Sequence, residues 1–170
     1  KQSKSEDNDT MSGGSGNDVM FGMSGSDRMD GGADNDKMYG GSGEDIMTGG
    51  DGNDQLFGGA GNDRLLADAG DDRLTGGSGF DTVDFSSWGA GVVVNLNSHA
   101  ATGAGSDSLW SIEAVVGTSF ADMIDGDKRS NALDGGAGDD VLRGRGGSDL
   151  LTGGAGNDMF VWHSKDVGSG

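Results

Sequence analysis

A large apolar residue recurs at every ninth position through most of the chain. It falls at Met11, Met20, Met29, Met38, Met47, Leu56, Leu65, Leu74 and Val83, and again at Ile124, Leu133, Leu142, Leu151 and Phe160. Its neighbours are mostly polar, so each occurrence reads as a short strand with the middle side chain inward and the flanking two outward. The residues between strands follow the pattern Gly-Gly-x-Gly-x-Asp. From Gly40 to Leu66 the whole unit is written three times, as GGSGEDIMT, GGDGNDQLF and GGAGNDRLL. Glycines at these spacings permit positive φ and predict a turn. Each nonapeptide therefore supplies one turn and one strand. Two turns bring the chain back above its start, one strand spacing of about 4.8 Å further along. The predicted fold is all-β, a roll that repeats every eighteen residues.

The phase of the repeat divides the chain. Residues 1–12 read as a polar tail merging into a degenerate first repeat, because Asn8-Asp9-Thr10-Met11-Ser12 fits only the second half of the unit. A first array occupies residues 13–84 without a gap. In residues 85–116 the phase is lost. That stretch holds Trp88, an alternating segment Val92-Val93-Val94-Asn95-Leu96, a small polar loop, and a second apolar segment from Leu109 to Val116, which predicts a strand pair joining two arrays. A second array follows at 117–161, and 162–170 read as a capping segment of a truncated chain.

The turns are the candidate chemistry. Asp18, Asp27, Asp36, Asp45, Asp54, Asp63, Asp72 and Asp81 hold the acidic position in the first array, and Asp140, Asp149 and Asp158 in the second. Their carboxylates stand beside main-chain carbonyls of tightly folded glycines. These are Gly13, Gly14, Gly16, Gly31, Gly32, Gly40, Gly41, Gly43, Gly49, Gly50, Gly52, Gly58, Gly59, Gly61, Gly76, Gly77 and Gly79, then Gly135, Gly136, Gly138, Gly153, Gly154 and Gly156. Hard oxygen ligands on a rigid loop suit Ca²⁺. Departures weaken particular turns: Ala67-Asp68-Ala69-Gly70 lacks both leading glycines, Asp34 and Met23 each replace one glycine, and Arg145 another. The turns GTSFAD and GDKRSN, the latter ending in Asn131, keep few glycines and predict coils that hold shape with few ions.

Composition sharpens this reading. Leu, Ile, Val and Phe together make 29 of 170 residues, and 29 acidic against 11 basic side chains leave a net charge of −18. That combination belongs to disordered chains. It folds only if something cancels the charge and supplements the core, and about eight Ca²⁺ would carry about +16. Cysteine and proline are absent, so neither a disulfide nor an Asp-Pro self-cleavage site exists. No apolar run is long enough for a signal peptide or a membrane span.

The nonapeptides resemble the RTX (repeats-in-toxin) calcium-binding motif. The resemblance implies a parallel β-roll with Ca²⁺ in its stacked turns, export through a type I secretion system, and a secreted or cell-surface location. The expected role is a secretion, spacer or presentation module of a larger extracellular protein, not an enzyme. The other chemistries fit poorly. His99 and His163 lack ligand spacing, every Asp pair is accounted for by the repeat, the D-x-[DN]-x-[DN]-G loop of an EF-hand is missing, and a pI near 4.1 repels nucleic acid. One rival remains. Phe21, Tyr39 and Phe57 fall eighteen residues apart beside Lys37, Gln55 and Arg73, an aromatic ladder that either stabilises the roll or binds an acidic polysaccharide.

Overall fold

The computed structural model describes residues 8–162. The expectations for residues 1–7 and 163–170, including His163, lie outside the described residues. The first array supplies β1 (Thr10–Ser15), β2 (Val19–Ser24), β3 (Arg28–Ala33), β4 (Lys37–Ser42), β5 (Ile46–Asp51) and β6 (Gln55–Ala60). It continues with β7 (Arg64–Leu66), β8 (Arg73–Ser78) and β9 (Thr82–Asp84). The middle of the chain forms β10 (Val93–Asn95), β11 (Ala100–Thr102), β12 (Ser106–Trp110) and β13 (Ala114–Val116). The second array forms β14 (Met123–Asp125), β15 (Ala132–Ala137), β16 (Val141–Arg143), β17 (Leu150–Ala155) and β18 (Met159–Phe160). The fold is the expected parallel β-roll.

Because each turn reverses the chain, successive strands alternate between two sheets. One runs β1-β3-β5-β7-β9-β13-β15-β17 and the other β2-β4-β6-β8-β12-β11-β10-β14-β16-β18. Within the arrays all neighbours are parallel and eighteen residues apart, as in Met29 against Met47 and Met38 against Leu56. Several strands run on into the leading glycines, so that Gly32 pairs with Gly50.

The inward side chains of the two sheets meet in a single narrow core. Met20, Met38, Met47, Leu56, Leu65, Leu74, Ile124 and Leu142 are fully buried. Methionine's unbranched thioether fills such a slot without a demanding rotamer. One expectation needs correction at the far end. Phe160, expected inward, is 43% exposed, because β18 is the last strand of its sheet among the described residues. On the outer faces of the second array Met123, Leu150 and Met159 are all more than half exposed.

The phase-broken middle is richer than a strand pair. The second apolar segment breaks at Ser111, whose φ is 51°, and so sends β12 to one sheet and β13 to the other. The small polar stretch contributes β11, antiparallel to both β10 and β12. It carries no alternation strong enough to read as a strand; only Ala101 turns inward and is buried. On the opposite sheet the roll continues unbroken, with Val83 paired to Val115. Phe85, Val92, Val94, Leu96, Leu109 and Ile112 join the same core cluster as the arrays. Among the described residues no helix is long and apolar enough to cross a membrane.

Candidate metal centre

The turns stack as the strands do, and this brings the predicted acidic residues into two columns. One column holds Asp27, Asp45, Asp63 and Asp81, and continues to Asp149; the other holds Asp18, Asp36, Asp54 and Asp72, and resumes with Asp140 and Asp158. Within a column each Asp amide donates to the Oδ1 of the Asp one coil later: Asp27 to Asp45 at 2.8 Å, Asp36 to Asp54 at 2.7 Å, Asp45 to Asp63 at 2.9 Å, and Asp140 to Asp158 at 3.1 Å. The ladder buries most of these carboxyl groups. Asp18, Asp149 and Asp158, towards the ends, are only half-buried.

The second oxygen of each carboxylate is the informative one. Oδ2 of Asp27, Asp36, Asp45, Asp54, Asp63, Asp81 and Asp140 is buried and has no hydrogen-bond partner. A buried charged oxygen without a partner is costly, and the carboxyl groups respond. Burial pushes Asp63 up to about 6. It pushes Asp72 up to about 7, with the Asp54 amide opposing and the neighbouring Asp107 carboxylate adding to the rise. Burial likewise raises Asp36, Asp45, Asp54, Asp81 and Asp140.

The predicted glycines form the cradle around these oxygens. The leading glycines Gly13, Gly31, Gly40, Gly49, Gly58, Gly76, Gly135 and Gly153 leave no room for a Cβ, which would run into the Asp Oδ2 of the same turn. Gly14, Gly32, Gly41, Gly50, Gly59, Gly77, Gly136 and Gly154 have positive φ, as do Gly16, Gly43, Gly52, Gly61, Gly79, Gly138 and Gly156. At Gly59 a side chain would also strike the Gly41 carbonyl oxygen of the coil below. Met23, Asp34 and Arg145, which replace glycines, are held at φ of 82°, 73° and 68°.

Other turns satisfy their acid internally. Thr118 donates its amide and hydroxyl to Asp122 at 2.6 Å and 3.0 Å. Arg129 bridges Asp127 and Glu113, each at 3.0 Å. Asn131 holds the ladder position there: its Oδ1 accepts the Asp127 amide and its own amide donates to Asp149. At Asp122 the Thr118 main-chain amide reaches the Oδ2 that the regular turns leave unpaired, and in the next coil the ladder position is a neutral amide while Arg129 pairs with Asp127 beside it. Three members of the columns escape the nonapeptide reading. Asp122 stands in phase at the end of GTSFAD and could have been read there. Glu113 and Asp107 lie in the phase-broken stretch, and Glu113 is placed only by pairing, accepting the Asp81 amide through Oε2 at 3.1 Å.

The donor set fits a hard divalent cation. The buried groups left without a partner in the regular turns are carboxylate oxygens, set in glycine turns that leave no room for other side chains. Softer metals would ask for nitrogen or sulfur. Fold and site together define a calcium-binding β-roll. The chain matches the RTX calcium-binding nonapeptide repeat (4 copies) over residues 5–38, 21–56, 48–83, 116–151 and 125–160, and belongs to that family. No curated protein matches it.

The aromatic ladder is a second feature of the surface. The Phe21 and Tyr39 rings stack at 5.0 Å with 3° between planes, and Tyr39 and Phe57 at 5.0 Å with 12°. The Lys37 ammonium lies 5.4 Å from the Tyr39 centroid and 5.5 Å from that of Phe57. Ring faces thus meet one another, while sugars pack on free faces. His99 is half-buried and stacks on Trp110 at 4.3 Å.

Proposed function

We propose that this chain is a folding-on-calcium module of a secreted protein, exported unfolded through a type I system and ordered outside the cell as a secretion, spacer or presentation region. The observation that carries the reading is the row of buried, unpartnered Oδ2 atoms in a chain of net charge −18. Bound Ca²⁺ would supply the positive charge these oxygens lack. The Asp carboxylates and glycine carbonyls of the regular turns are the proposed ligands, with about eight ions in all. Sites of ordinary extracellular affinity, about 10⁻⁴ to 10⁻³ M, stay empty at cytosolic Ca²⁺ and fill after export.

The test is far-UV circular dichroism of the metal-stripped chain at neutral pH, then with millimolar CaCl₂. A disordered spectrum converting to β is expected. A β spectrum that chelator leaves unchanged would refute the reading. The polysaccharide reading draws support from Lys37 and the exposed edge of Phe21, but the mutual stacking of the three rings favours a structural role for the ladder.

A further inference from the structure

We infer that the phase-broken stretch conceals one more turn of the roll, residues 102–107, and that Asp107 there holds a divalent cation of the Ca²⁺ class against the turn 67–72. The inference rests on the calcium-binding reading of the regular turns. It concerns a segment that the nonapeptide matches, at 48–83 and 116–151, leave out.

Thr102-Gly103-Ala104-Gly105-Ser106-Asp107-Ser108-Leu109-Trp110 lacks only the first glycine of the unit. It is hidden because residues 85–101 intervene, so that its partner lies thirty-five residues back instead of eighteen. The structure places it in the column nonetheless, by the same contacts that join regular turns. The Asp72 amide donates to Asp107 Oδ1 at 3.1 Å, as the Asp54 amide does to Asp72 at 2.9 Å. The Gly70 amide donates to the Ala104 carbonyl at 3.4 Å, as Gly52 does to Ala69 at 3.0 Å. The Ser108 amide donates to the Asp72 carbonyl at 2.8 Å, as Arg73 does to Asp54 at 2.8 Å. Gly105 lies so close over the Gly70 carbonyl that a Cβ would strike it, as one at Gly70 would strike Gly52. Gly103 has φ +125°, and Leu109 pairs with Leu74 in the core.

The independent sign of a ligand is the other carboxylate oxygen. Asp107 is 4% exposed, and its Oδ2 is buried without a partner, as in the regular turns. Nothing like Thr118 or Arg129 stands in. The site also carries its own reporter, because the Trp88 indole donates to the Gly103 carbonyl at 3.0 Å and so touches this turn.

The experiment combines Ca²⁺ stoichiometry by equilibrium dialysis with terbium luminescence sensitised through tryptophan, on the full chain. Asp107→Asn keeps an oxygen for the Asp72 amide, as Asn131 does in its own column, and removes the charge. It is expected to bind about one ion fewer and to lose most of the tryptophan-sensitised emission. Asp63→Asn should lose about one ion but keep that emission, and Trp88→Phe combined with Trp110→Phe should lose emission while keeping all ions. Unchanged stoichiometry and emission in Asp107→Asn overturn the site while leaving the regular turns intact. Should that variant fail to give a β spectrum in CaCl₂, unaltered emission in the variant carrying both Trp88→Phe and Trp110→Phe overturns it equally. Absence of any ion in the wild type would remove the calcium reading and this site together.

Discussion

The amide of Asp54 and the carboxylate of Asp72 meet at 2.9 Å although eighteen residues separate them. Bonds of this kind tie the folding of each regular turn to the turn one coil later, and they leave the second carboxylate oxygen of Asp36, Asp45, Asp54 and Asp63, among others, buried without a hydrogen. Charge neutralisation in one turn is therefore coupled mechanically to the next.

Coupling makes the turns unequal under mutation. Asp54→Ala removes a buried carboxylate with an unpartnered Oδ2 and the acceptor for Asp36. It is expected to raise the midpoint of the calcium titration by about tenfold, ~1.4 kcal/mol. Asn131→Ala breaks hydrogen bonds to Asp127 and Glu113 but no cation ligand, so it should lower thermal stability and leave the midpoint within about twofold. Equal midpoint shifts in the two titrations would contradict this division of turns.

Glycine requirements separate into backbone strain and stacking. Gly14 has φ +103° with open space around the added Cβ, whereas Gly59, at φ +119°, faces the Gly41 carbonyl. Gly14→Ala should cost about 1–2 kcal/mol from the left-handed backbone alone. Gly59→Ala should cost clearly more in the same urea titration with saturating Ca²⁺, because the coils must also move apart.

Protons are expected to stand in for the cation. The carboxyls of Asp63, Asp72 and Asp107 sit at about 6, 7 and 6 in the fold against 3.8 for an ordinary Asp. The folded chain therefore binds more protons than the unfolded one between those values. The contribution of these three groups to metal-free stability is fully present below about 3.8 and is lost as pH rises through about 6 to 7. The stripped chain should show more β signal at pH 5 than at pH 8, and Ca²⁺ should abolish the difference. A metal-free β signal that grows with pH would contradict the burial of these groups.

The ladder of Phe21, Tyr39 and Phe57 can be tested apart from the turns. Replacing all three by Ala should lower stability by about 1–3 kcal/mol, from two stacked pairs at roughly 0.5–1.5 each. No ligand affinity should change. Saturable binding of an acidic polysaccharide to the calcium form, abolished by Lys37→Glu with Arg73→Glu, would make this face a glycan site instead.

The sequence by itself determined the repeat, the roll, the inward residues of both arrays up to Leu142, the acidic columns and the aromatic ladder. All follow from a local unit of fixed length, in which stacking is a matter of counting residues. Even the strained backbone at Asp34 was legible, since phase alone puts it where a glycine belongs. Counting fails where the phase is lost. Whether Ala100–Thr102 is a loop or a strand, and whether Asp107 joins Asp72, depends on pairing across an insertion of arbitrary length. Glu113 takes an Asp's place through pairing that no spacing encodes. Which acids are left unpaired was also beyond the sequence, because Thr118 and Arg129 satisfy Asp122 and Asp127 only through rotamers and approach that the folded turns impose. The pattern sets where the carboxylates stand, and tertiary packing decides which of them still lack a counter-charge.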